Sequence, residues 1–89
     1  MKLLVLYRPF SEHASVTETF VRDFQRQHDM EGKIEMVSLD TAAGAQKAEA
    51  YGLWAYPAII ASADDGRALN VWQGEPLPLM NEIAGYIYS

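Results

Sequence analysis

Apolar strand-length runs alternating with helix-period segments predict an α/β fold: a four-stranded mixed sheet with helices on both faces, in the order β-α-β-α-β-β-α. Three observations carry this. Leu3-Leu4-Val5-Leu6 is a continuous apolar run, Val16, Phe20 and Phe24 recur every four residues, and Asp65-Gly66 separates two strand-like runs. At 89 residues, 49% hydrophobic and 21% charged, the chain is long enough for one core and too short for a second, so residues 1–89 are expected to form one domain.

Taken in order, Lys2 to Tyr7 has the unbroken hydrophobicity of a central parallel strand covered on both faces, and Arg8-Pro9 ends it. From about Ser11 to His28 the spacing predicts a helix in which Val16, Phe20 and Phe24, with Thr17 and Val21 beside them, form one apolar stripe facing the core, with Glu18 and Arg22 in i, i+4 order on the other side. Ser11 is the preferred N-cap, although Ser15-Val16-Thr17-Glu18 has the form of a capping box. Asp29 to Gly32 reads as a loop, and Lys33 to Leu39 as a second strand completing a right-handed crossover. Asp40 or Thr41 caps the next helix, whose alanines favour helix while Gly44 weakens it slightly.

Gly52 stands where a helix ends in a left-handed residue, which glycine adopts without a Cβ clash. Pro57 has no amide hydrogen for a ladder and therefore belongs at the mouth of the strand Ala58 to Ser62. The trans preference of an X-Pro bond is only ~0.5–1 kcal/mol, so packing is able to hold Tyr56-Pro57 cis. Asp64-Asp65-Gly66 is a hairpin turn leading into an antiparallel strand through Leu69, Val71 and Trp72. Gly74 breaks that strand, and a helix from about Leu77 to Tyr88, with Pro78 in its first turn and Leu79 or Met80, Ile83 and Ile87 inward, closes the chain.

Composition narrows function. There are no cysteines, which removes disulfides, thiolate metal sites and thiol catalysis from these residues. A net charge of −5 opposes a phosphate backbone, so no nucleic-acid partner is expected. No apolar run is long enough to span a membrane, and a cytoplasmic location is expected. Neither histidine has metal-ligand spacing, and no cofactor is expected. Ser11 and His13 do not align hydroxyl with imidazole at a helix start and have no third partner, so no catalytic residue is assigned.

The element order, the residues Val37-Ser38-Leu39-Asp40, the helix end Ala48 to Leu53, Tyr56-Pro57-Ala58-Ile59-Ile60, Asp65-Gly66 and Gly74 together resemble the thioredoxin and glutaredoxin family over essentially the whole chain. The resemblance implies a cis proline at Pro57 facing an active-site motif at Ser11-Glu12-His13-Ala14. Both positions of the family's Cys-x-x-Cys are then replaced, by Ser11 and Ala14, and the family's Thr before the proline is Tyr56. Dithiol exchange needs an attacking and a resolving thiol, so the resemblance implies the fold without the redox activity.

What remains is a groove formed by Phe10, Ser11, Glu12, His13 and Ala14 on one side and Trp54, Ala55, Tyr56 and Pro57 on the other. Trp54 is read equally well as a groove anchor or as packing in the core or as a cover over the helix end, whereas Trp72 is expected to pack into the core. The leading expectation is a redox-inactive module that binds a protein or extended peptide in this groove. The alternative is a glutathione-binding or glutathione transferase-like protein in which Ser11 holds the thiolate of glutathione.

Overall fold

β1 (Lys2–Tyr7) lies at the centre of the sheet because every interior position is apolar: Leu3, Leu4, Val5 and Leu6 are all buried, and neighbours cover both faces. The computed structural model describes residues 2–28, 33–74, 77–78 and 80–87. The remaining elements are α1 (Ala14–His28), β2 (Ile34–Ser38), α2 (Ala42–Ala50), β3 (Ala58–Ser62), β4 (Ala68–Gln73) and α3 (Met80–Ile87). The loop expected at Asp29 to Gly32 lies outside the described residues, as do Leu79, Tyr88 and the side chains of Met80 and Ile87.

The strands form one mixed four-stranded sheet in the order β2-β1-β3-β4. β1 runs parallel to β2 with Tyr7 opposite Ser38, and antiparallel to β3 with Leu6 opposite Ala58. The central strand is thus parallel on one side only. β3 and β4 form the antiparallel hairpin, in which Ala58 opposes Gln73. Alternation along the strands makes two cores. Leu3, Val5, Ile59 and Ala61 meet Val21 and Phe24 of α1 and Ile83 of α3, whereas Leu4, Leu6, Ala58 and Ile60 meet Leu39, just after β2, and Ala48 of α2. Helices therefore cover both faces.

The chain is punctuated by local chemistry. Gly52 has φ 67° and closes α2 in a Schellman motif: its amide donates to the Glu49 carbonyl at 3.0 Å, and that of Leu53 to the Ala48 carbonyl at 2.9 Å. At the hairpin, Gly66 takes φ 89° after a turn in which its amide donates to the Ala63 carbonyl at 2.9 Å. The Tyr56-Pro57 bond is cis.

Four features differ from the sequence reading. α1 begins at Ala14, not Ser11, because the chain first makes two tight turns: the Ser11 amide donates to the Arg8 carbonyl and the Ala14 amide to the Ser11 carbonyl, both at 3.2 Å. Its buried face is Ala14, Thr17, Val21 and Phe24, while Val16 is 61% exposed and Phe20 only half-buried. Residues four apart drift about 40° around a helix, so a row that is inward at Phe24 has swung to the flank at Phe20 and outward at Val16. Thr17 of the same stripe is buried where Val16 is not, and this is tolerable because its hydroxyl donates to the His13 carbonyl at 2.8 Å.

Gly44 is the third difference. A Cβ there would collide with the carbonyl of Ser38, so the glycine that lowers helix propensity is what lets α2 begin tightly against the end of β2. The fourth is α3, which starts at Met80 with Leu77 and Pro78 ahead of it. Leu77 precedes a proline and is biased away from helical dihedrals, and it packs instead against the α1–α3 core.

Candidate functional site

The sheet register gathers four chain segments at one end. Tyr7 of β1, Ser38 of β2, Ala58 of β3 and Gln73 of β4 lie at neighbouring positions, so the loops leaving β1 and β2, the loop entering β3 and the exit of β4 share that end. Of the motif pair singled out in the sequence, residues 10–13 and 54–57 are on these loops and Ala14 opens α1.

The first loop closes on itself. Ser11 donates its hydroxyl to the Arg8 carbonyl at 2.6 Å, and the amide of Arg8 donates to Nε2 of His13 at 3.1 Å. His13 occupies the cap position of α1, since its carbonyl accepts the amide of Thr17 at 3.0 Å. Ser11 is therefore not an N-cap: its proton is directed back to the turn at Arg8-Pro9 and away from the helix amides. A ring nitrogen that accepts an amide carries no proton, so His13 acts here as a latch on the loop. Phe10 is 98% exposed, Glu12 is exposed, Ser11 and His13 are half-buried, and Ala14 is buried as the first residue of the helix.

The second loop is fastened to β4. The carbonyl oxygen of the Gln73 side chain accepts the amides of Trp54 at 2.8 Å and Ala55 at 3.4 Å. The amide of Gly74, at φ 77°, donates to the Pro57 carbonyl at 2.9 Å. These bonds satisfy backbone groups of an irregular segment and leave Trp54 78% exposed, while Pro57 is buried and Ala55 and Tyr56 are half-buried. Trp54 thus does not cover the end of α2. Trp72 packs partly against the α1–α3 core and meets Tyr86 edge-on at 5.5 Å.

Beside the loops is a hollow of about 310 Å³. Leu39, Ala45, Ala48 and Leu53 give it apolar walls, and Arg8, Glu49 and Tyr56 complete its lining. Of the nine residues read from the sequence, Tyr56 alone lines it. A larger open groove of about 520 Å³ lies elsewhere, along the exposed flank of α1 at Val16 and Phe20 and beside Leu77, and contains none of the nine.

The electrostatics are mild. Arg8 and Asp40 approach to 3.8 Å with both side chains largely exposed. Burial, followed by the charge and hydrogen bond of Glu18, raises the Tyr7 phenol above its ordinary pKa, with its hydroxyl 3.4 Å from the carboxylate. Among the described residues no group of acids and histidines is arranged to hold a metal ion, and no helix is long and apolar enough to cross a membrane.

Two residues of this end were not singled out from sequence: Gln73, which holds the Trp54 loop, and Arg8, around whose backbone the first loop closes. Gln73 offered a weak signal as the polar residue between Trp72 and Gly74, where strand and turn chemistry alone call for none. No protein-family model matches the chain, and no curated protein matches it.

Proposed function

We propose that this chain is a thioredoxin-like domain without thiol chemistry that binds an extended segment of another protein at the sheet end beside Pro57. The observation that carries the reading is the exposure of Phe10 (98%) and Trp54 (78%) on the loops that border the two central strands. Large aromatics left in water on loops fastened by hydrogen bonds are what binding hot spots are made of, since they bury much area with little ordering cost. The thioredoxin-like part is supported by the sheet order β2-β1-β3-β4 and by Pro57 at the mouth of β3. With no cysteine, the domain has no group to attack or resolve a disulfide. The same reading takes the protein to be cytoplasmic and assigns it no catalytic residue and no cofactor.

Glutathione binding has less support. A serine that holds a thiolate donates its one proton to sulfur, and the Ser11 proton lies on the Arg8 carbonyl.

Capture of binding proteins by the wild-type chain and by a Phe10→Ala, Trp54→Ala variant tests the proposal. Both side chains are exposed, so the variant keeps its core. Partners retained by the wild type and lost by the variant, with their amide shifts mapped to residues 10–14 and 54–57, are the expected result. Identical captured sets, or shifts confined to other surfaces, would overturn it.

A further inference from the structure

The basic residues of this molecule are distributed unevenly along the sheet. Resting on the binding reading above, we infer that the segment bound at the Pro57 end is basic, with Lys or Arg side chains laid against Trp54 and Phe10.

At that end Glu12 and Asp40 are exposed on the loops leaving β1 and β2, and Glu49 is exposed on the lining of the hollow. Of the chain's seven Lys and Arg residues, Arg8 alone shares this end, and it approaches Asp40 to 3.8 Å. The others lie elsewhere or are engaged. Lys2 is paired opposite Ser62 at the far end of the sheet, the carbonyl of Lys33 accepts the Leu3 amide there, and Arg67 follows the far hairpin. Lys47 is engaged with Glu35 at 2.7 Å, and the two arginines of α1 fall in its second half. Together Arg8, Glu12, Asp40 and Glu49 carry a formal charge of −2.

Charge and aromatic exposure thus coincide. An aromatic face attracts a guanidinium or ammonium by its quadrupole, most strongly for Trp, and carboxylates at the same end of the sheet add to that attraction without competing for the face. An acidic segment would meet like charge at three carboxylates, which costs affinity and slows encounter. A neutral apolar segment would gain nothing from those carboxylates. The complementary partner is an extended chain in which basic side chains alternate with aliphatic ones small enough for the hollow.

The test uses the full chain and short extended peptides of equal length in which Val alternates with Arg, Gln or Glu, followed by fluorescence anisotropy at low and physiological salt. The Arg peptide is expected to bind tightest and to weaken with salt, because attraction between exposed charges decays over a screening length of about 8 Å at physiological ionic strength. Trp54→Ala and the joint change Glu12→Gln, Asp40→Asn, Glu49→Gln are each expected to weaken it by about tenfold. Asp64→Asn at the far hairpin is expected to leave it unchanged. If the Gln or Glu peptide binds as tightly as the Arg peptide and remains sensitive to Trp54→Ala, the basic partner is overturned while the binding site stands. If every peptide fails to bind, or binding ignores Trp54→Ala, both are overturned.

Discussion

The two helices that follow β1 and β2 leave the same end of the sheet, both preceded by a hydroxyl residue, and they begin differently. At α2, Thr41 is a working cap: its Oγ1 accepts the Gly44 amide at 3.0 Å and donates to the Ser38 carbonyl at 2.9 Å, and the helix starts at the next residue. At α1, Ser11 donates to the Arg8 carbonyl at 2.6 Å and α1 starts only at Ala14, with His13 supplying the cap carbonyl. A cap needs a hydroxyl and also a backbone that aims it at the helix amides. The Arg8-Pro9 turn consumes the Ser11 hydroxyl before any helix amide is available.

The largest expected effect comes from Gly44→Ala. Propensity alone would make the change stabilising by ~1 kcal/mol, yet the new Cβ meets a backbone carbonyl that cannot yield cheaply, as overpacked sites show at ~1–3 kcal/mol or more. Net destabilisation of about 2 kcal/mol in urea unfolding is expected. A stabilised variant would mean that α2 does not press on Ser38.

The caps should separate next. Thr41→Ala is expected to cost ~1 kcal/mol and Ser11→Ala no more than a few tenths, since only the first removes an acceptor from a helix amide. Equal losses would erase the distinction between the two helix starts.

A thiol placed at each position sharpens the same point at lower energy. Thr41→Cys sits on the orphan amides of α2 and should ionise below the free-thiol value of about 8.5, whereas Ser11→Cys, ahead of the turns, should titrate near it. Absorbance of the thiolate against pH reads both. A lowered value at position 11 would restore Ser11 as the effective start of α1.

The smallest effect concerns the tie between α2 and β2. Glu35 accepts from Lys47 at 2.7 Å and from Lys2 at 3.2 Å, and these bonds, that to Lys47 foremost, hold its carboxyl below the usual carboxylate range. A lowered folded-state pKa stabilises the protein above the unfolded value, and the contribution is lost as pH falls through the folded one. The partners are 37–49% exposed, so the contribution stays below ~1 kcal/mol. The Tm advantage of the wild type over Glu35→Gln should therefore shrink on acidification and with added salt. A gap independent of pH would remove the ion pair from the ledger.

Much of this architecture was legible because its signals are local. The unbroken Leu3 to Leu6 run, Gly52 at a helix end, Asp65-Gly66 at a turn and Pro57 before a strand each state a backbone preference that neighbours reinforce. The mixed α/β class follows from their order. That these residues hold no thiol is read from composition alone. What only the tertiary structure decided were questions of direction. Whether Ser11 or Thr41 aims its hydroxyl at helix amides depends on the preceding turn. That Thr17 is buried and Val16 exposed depends on where α1 starts and how it rolls on the sheet. Gly44 is required by a carbonyl on another element, and Gln73 holds Trp54 outward across nineteen positions of sequence. Propensity is set by a residue and its neighbours along the chain, whereas aim and close approach are set by atoms that only the completed sheet brings together.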